Sequence, residues 1–112
     1  MQEIRVDISG HNPNLPRIVI QSEFLDGNTT GVEPDIKKDR HFYDIKVEGV
    51  QGGTAKIEIT TSGPPASRMQ YFSSPDKKWV NAKSVTPAKT GGSISGSIDV
   101  VNLQRTPIVI GT

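Results

Sequence analysis

A chain of 112 residues has room for one folded domain around a single hydrophobic core, so we expect one domain over residues 1–112. The formal net charge of +1 gives no electrostatic reason to expect nucleic acid or an anionic membrane as a partner. The lack of cysteine excludes disulfides and thiolate zinc sites, and no apolar run approaches the ~20 residues of a membrane-spanning helix.

The first predicted strand runs from about Glu3 to Ser9, where aliphatic and charged residues alternate. The polar stretch from Gly10 to Pro13 then interrupts the pattern. A second strand is predicted over Ile18–Phe24, and its continuous aliphatic start indicates a strand that is covered on both sides or lies close to an edge turn.

The stretch from Leu25 to Arg40 is rich in Asp, Asn, Gly and Pro, and it predicts the longest loop of the domain. Its oxygen-bearing side chains are candidate calcium ligands, although their spacing matches no EF-hand and the same residue types form ordinary turns. Asn28 also begins the glycosylation motif Asn-Thr-Thr. The candidate calcium ligands are Asp26, Asn28 and Asp35, with Glu33 and Asp39 as further oxygen donors.

The stretch from Phe42 to Glu48 has a period of two, with Tyr43, Ile45 and Val47 on one face and polar residues on the other, which predicts a strand with one buried face. The alternation continues from Ala55 to Ile59 after the short connection Gln51–Gly53. This spacing predicts that the two strands form a hairpin, which ends before the Gly-Pro-Pro sequence at residues 63–65.

A second hairpin is predicted for Met69–Phe72 and Trp79–Ala82, because the intervening Ser-Pro-Asp-Lys sequence suits a tight turn. Aliphatic residues at even spacing follow around Gly96, where the missing side chain indicates a bulge. The last strand is predicted over Thr106–Ile110. About eight short strands without intervening helices predict an all-β domain, an immunoglobulin-like antiparallel two-sheet β-sandwich, with a small barrel as the alternative.

The second hairpin carries the main candidate ligand-binding residues, and their arrangement depends on strand register. If Ser73 pairs with Lys78, Phe72 and Trp79 face each other on one side of the sheet; a shift of one residue places Trp79 with Tyr71 instead. Exposed rings there would form a platform on which a sugar or a neighbouring protein could stack. The scarcity of aromatic residues favours packing of Trp79 over such a platform.

The sequence offers little for catalysis. His11 and His41 stand alone, no glycine-flanked nucleophilic serine is present, and Lys89–Gly92 has the reverse order of a phosphate-binding loop. We therefore expect no enzymatic activity and no cofactor.

Three stretches, at residues 41–61, 69–83 and 106–112, resemble the repeated β-sandwich domains of prokaryotic, particularly archaeal, cell-surface and S-layer-associated proteins. In such modules a hairpin with aromatic residues, a polar turn and Lys-Trp-Val often precedes a last strand ending in Pro-Ile-Val. The resemblance covers about the last two thirds of the chain. It implies an extracellular structural, spacer or adhesion module whose partners are the neighbouring domains of its parent protein.

Both ends of the chain have a strand-like pattern, which leaves no room for a signal peptide and indicates a module excised from a longer protein. For a spacer linked in series we expect the end strands to enter and leave at opposite poles of the sandwich. The alternative function is a carbohydrate-binding module that uses the rings of Phe72, Trp79 and Tyr71.

Overall fold

The computed structural model of the chain describes residues 3–9, 19–49, 52–60, 66–88 and 92–112. The described residues contain nine β-strands, a 3-10 helix of three residues and no α-helix, which confirms the all-β prediction. Predictions made for other residues, among them the breaks at 10–13 and 63–65, His11, Gln51 and most of Lys89–Gly92, fall outside the described residues.

The strands lie close to their predicted positions, and one of them was not predicted. The 3-10 helix, Val100–Asn102, connects the last two strands. The strands are β1 (Glu3–Ser9), β2 (Val19–Leu25), β3 (His41–Glu48), β4 (Thr54–Thr60), β5 (Arg68–Ser73), β6 (Lys78–Asn81), β7 (Lys83–Thr86), β8 (Ser93–Asp99) and β9 (Gln104–Gly111).

The strands form two antiparallel sheets that pack as a β-sandwich, as predicted. One sheet has four strands in the order β1-β4-β8-β7, and the other has five in the order β2-β3-β9-β5-β6. Every strand pairing in both sheets is antiparallel. The alternation of apolar and polar residues in β3, β4 and β8 explains this arrangement, because each of these strands turns one set of side chains towards the facing sheet.

The hydrophobic core lies between the two sheets and takes its side chains from both. Ile45 and Val47 of β3 and Ile57 and Ile59 of β4 are fully buried in it. Burial of one such side chain contributes about 1.5–3 kcal/mol, so the two strands together account for much of the stability of the domain.

The predicted hairpin between β3 and β4 is wrong. β3 pairs with β2 and β9, whereas β4 pairs with β1 and β8, so the connection between them crosses from one sheet to the other. Gly49, Gly52 and Gly53 all have positive φ angles and allow the chain to turn across the sandwich. A period-two pattern is the same for two strands that lie side by side and for two that face each other, which is why the sequence did not distinguish these arrangements.

The unpredicted strand, β7, has one apolar residue in four and therefore no clear alternation. Its pairing with β8 shifts between Lys83 and Thr86, so that β7 bulges beside Gly96. The bulge predicted at Gly96 is thus present in the partner strand, while β8 itself pairs regularly with β4. A Cβ atom at Gly96 would lie 2.9 Å from the sulfur of Met69, so glycine allows the two sheets to approach closely here.

The first strand begins and the last strand ends at the same end of the sandwich. Glu3 begins β1 opposite Thr60, and Gly111 ends β9 opposite Arg68. The short connection from β3 to β4 and the 3-10 helix both lie at the other end, which we call the distal pole. The expectation that the end strands enter and leave at opposite poles is therefore wrong. It rested on the strand-like ends alone and did not consider how many times the chain runs from one pole to the other between them.

Candidate functional site

The aromatic hairpin has the first of the two predicted registers. Ser73 pairs with Lys78, and Phe72 lies directly opposite Trp79, with the ring centroids 5.4 Å apart and the planes inclined at 66°. Tyr71 packs against the main core between the sheets, on the other side of the five-stranded sheet. The structure therefore brings Phe72 and Trp79 together and separates Tyr71 from them.

The long loop, residues 26–40, covers the outer face of the five-stranded sheet next to this hairpin. Its Ile36 is fully buried against Phe42 of β3 and Val109 of β9, and Leu25 and Trp79 pack around these three residues. We call this group the outer cluster. An isolated isoleucine in a polar loop has no periodic pattern around it, so this second apolar cluster was not predicted.

Trp79 is held in place by the loop. Its indole nitrogen donates a hydrogen bond of 2.7 Å to the carbonyl oxygen of Val32, and its ring meets that of Phe42 edge to face at 6.2 Å. The side chain is half-buried, which agrees with the expectation that packing outweighs a binding platform. Trp79 belongs to the outer cluster, however, and not to the main core.

The far end of the loop is fixed to the last strand by backbone contacts. The amide of Thr112 donates to the carbonyl oxygen of Lys38 at 2.9 Å, and the amide of Lys38 donates to the carbonyl oxygen of Thr112 at 3.2 Å. A Cβ atom at Gly111 would lie 2.5 Å from that same oxygen of Lys38. Glycine at position 111 thus lets the loop lie directly on β9.

The side chain of Asn28, the predicted glycosylation site, forms a turn within the loop. Its Oδ1 accepts a hydrogen bond of 3.0 Å from the amide of Thr30, and its Nδ2 donates one of 2.7 Å to the carbonyl oxygen of Val32. Nδ2 is the atom to which a glycan would be attached. In this structure Asn28 therefore supports the carbonyl group that also binds the indole of Trp79.

Two acidic side chains of the loop, those of Glu33 and Asp35, pair with nearby cations. Arg40 donates to Glu33 at 2.8 Å, and this hydrogen bond is the main cause that lowers the pKa of Glu33. Asp35 lies 3.9 Å from Arg68. Among the described residues, no group of three or more His, Asp or Glu side chains could hold a metal ion, so the geometry does not join Asp26, Asp35 and their neighbours into a calcium site.

A groove of about 600 Å³ beside β2 was not predicted. Asp44 contributes a buried Oδ1 that has no hydrogen-bond partner in the described part of the chain. Burial raises the pKa of Asp44, the nearby carboxylate of Glu23 raises it further, and Arg105 opposes both effects. The alternation in β3 predicted only that Asp44 faces outwards. The groove is lined by Ile20, Gln21, Ser22, Glu23, Asp44, Lys46 and Arg105.

The fold defines the protein as an antiparallel two-sheet β-sandwich whose long loop covers part of one outer face. The sequence matches no protein-family model, and no curated protein or solved structure is significantly similar to it. None of the helical segments in the described ranges is long and apolar enough to cross a membrane.

Proposed function

We propose that the chain is a non-catalytic module of immunoglobulin-like type that belongs to a longer cell-surface protein and acts there in structure or adhesion. The observation that carries the proposal is that β1 begins and β9 ends at the same pole of the sandwich. A domain that is attached at one pole projects its distal pole away from the parent chain. This geometry favours an adhesion module over an in-line spacer.

The distal pole offers a surface for contacts with another molecule. It carries the 3-10 helix, in which Val101 is 68% exposed, and the turn at residues 74–77 lies towards it at the far end of β5. The long loop has a different role in the domain. Its Ile36 packs on the five-stranded sheet, and the turn formed by Asn28 holds the loop in shape. We assign the loop a structural role and the distal pole the contact role.

Carbohydrate binding by the aromatic hairpin has less support. A sugar ring stacks on a flat aromatic face, whereas Phe72 and Trp79 are inclined at 66° and the indole N–H of Trp79 is already bonded to Val32. The third candidate residue, Tyr71, packs towards the core from the other side of the sheet.

Antibodies raised against the purified domain test the proposed location. We expect them to label intact cells of the parent organism as strongly as permeabilised cells, because the domain is proposed to face the exterior. An antibody against a cytoplasmic protein is the control and should label permeabilised cells only. Labelling of the domain that requires permeabilisation would contradict a cell-surface role.

A chain of three copies joined by short flexible linkers tests the projecting geometry. Because both ends of each copy lie at one pole, we expect the copies to fan out side by side, with a maximum dimension well below three times the 42 Å length of one domain. Small-angle scattering measures this dimension. A rod close to three domain lengths would instead support an in-line spacer and oppose the adhesion model.

A further inference from the structure

The two sheets have four edge strands among the described residues, and three of them carry features that hinder pairing with another chain. β6 and β7 have four residues each. β6 begins with the exposed Lys78, and β7 bulges at Ser84, whose φ is 52°. β1 exposes the charged Arg5 and Asp7. Short length, lysine, bulges and charge are the usual means by which proteins protect sheet edges.

The fourth edge strand, β2, is the least protected, because the single charge of Glu23 is the only such feature that it carries. It has seven residues without proline or lysine, pairs with β3 in an unbroken register, and has no partner on its other side within the described ranges. The exposed fractions of its apolar residues are 36% for Val19, 40% for Ile20 and 49% for Phe24. Val101, at the distal pole, is the only other large exposed hydrophobic residue in the described part of the chain. Exposed apolar surface is therefore concentrated on the least protected edge.

We propose that β2 is a self-association site, at which a second copy of this chain adds its own β2 in antiparallel orientation about a two-fold axis at Ser22. The two five-stranded sheets then form one continuous sheet of ten strands. The inference concerns a different surface from the distal pole and does not depend on the proposed cell-surface function.

The sequence of β2 is complementary to itself in this register. Each apolar residue meets an apolar residue, and the single charge of the strand meets an amide, which are the favourable kinds of cross-strand pair. A two-fold interface is isologous, so each of these pairs except the central one occurs twice. The pairs are Val19 with Leu25, Ile20 with Phe24, Gln21 with Glu23, and Ser22 with Ser22 of the second copy.

The neighbouring registers are less favourable. An axis at Glu23 would place the two Glu23 carboxylates directly opposite each other, and like charges in that position are destabilising. An axis at Gln21 would place Glu23 opposite Val19 and Ile20 opposite Ser22. Registers that place an odd-numbered residue opposite an even-numbered one are excluded. A two-fold axis keeps each residue on the same face of the sheet in both copies, and opposite residues in an antiparallel pair must point to the same face.

The arrangement also covers the single aromatic ring of β2. Phe24 pairs with Tyr43 of β3, and the two rings meet edge to face at 5.2 Å. The core side of the five-stranded sheet thus continues onto β2, where Phe24 remains about half exposed. Ile20 of the second copy would lie against this ring and remove both side chains from water.

Sedimentation velocity at concentrations up to ~1 mM tests the association. We expect concentration-dependent dimers of the unchanged protein, and Ile20→Lys should raise the dimer dissociation constant at least about tenfold because the substitution acts twice in the interface. Val101→Lys is the matched control: it removes an exposed aliphatic residue outside β2 and should leave dimerisation unchanged. A protein that stays monomeric, or a loss of dimers in the control as large as in Ile20→Lys, would overturn the proposal.

Cysteine cross-linking tests the register, since the native chain has no cysteine. Ser22→Cys should form a disulfide-linked dimer under mild oxidation, because residues opposite each other in antiparallel strands have Cα atoms about 4.5–5.5 Å apart. Val19→Cys is the control and should not cross-link, because its two copies would lie roughly 20 Å apart. Equal cross-linking of both variants, or of neither, would refute an axis at Ser22. Capture of a different extended peptide by a monomeric protein would count against self-association.

Discussion

Replacing Ile36 with alanine is expected to lower the free energy of unfolding by about 2–5 kcal/mol and to release the long loop from the sheet. Ile36 is the only fully buried apolar residue that the loop contributes to the outer cluster, where it contacts both sheet residues Phe42 and Val109. Its truncation removes the apolar contacts that hold this part of the loop on the sheet, because the backbone bonds at Thr112 fix only Lys37 and Lys38.

Denaturant unfolding and tryptophan fluorescence measure the two effects. The emission of Trp79 should shift to longer wavelength in the variant, since release of the loop exposes the indole and removes its hydrogen bond to Val32. Val101→Ala, at an exposed site, serves as the control and should change stability by no more than about 0.5 kcal/mol. If Ile36→Ala is as stable as this control, the loop does not depend on the outer cluster.

The sequence predicts where the strands lie better than it predicts how they pair. Period-two alternation located the strands because strands such as β3, β4 and β8 bury one face. The turn sequence Ser-Pro-Asp-Lys located the second hairpin but left two registers open, and the structure has the register that places Phe72 opposite Trp79. The pattern did not determine which strands pair. β3 and β4 resemble a hairpin in sequence, but they belong to different sheets and bury their apolar faces in the same core.

The unpredicted parts depend on contacts between residues far apart in the chain. Ile36 has no apolar neighbours in sequence, and its burial depends on β3 and β9 lying side by side. The carbonyl group of Val32 accepts a hydrogen bond from the indole of Trp79, which lies 47 residues further along the chain. Likewise, the continuous apolar start of β2 suggested a covered strand or one near an edge turn, and only the strand order shows that β2 is an exposed edge.

The hydroxyl group of Tyr43 makes stability depend on alkaline pH. It is fully buried and has no hydrogen-bond partner in the described part of the chain, and burial raises the pKa of Tyr43 from 10.0 to about 12. The folded state therefore holds this proton more tightly than the unfolded state. Below pH 10 both states are protonated, and between about pH 10 and pH 12 only the unfolded state ionises. Stability should fall by about 3 kcal/mol across this range because of Tyr43.

Tyr43→Phe separates this effect from the ionisation of other groups. The variant should lose about 3 kcal/mol less than the native protein between pH 10 and pH 12, and at pH 7 it should be as stable or up to about 1–3 kcal/mol more stable, because it removes a buried hydroxyl without a partner. Tyr71→Phe is the control: the hydroxyl of Tyr71 accepts a hydrogen bond from Asn102, so this variant should keep the alkaline loss due to Tyr43. Denaturant unfolding at each pH gives the free energies. Destabilisation of Tyr43→Phe at neutral pH would mean that the hydroxyl of Tyr43 is hydrogen-bonded within the core. An alkaline loss as large in Tyr43→Phe as in the native protein would mean that Tyr43 does not cause it.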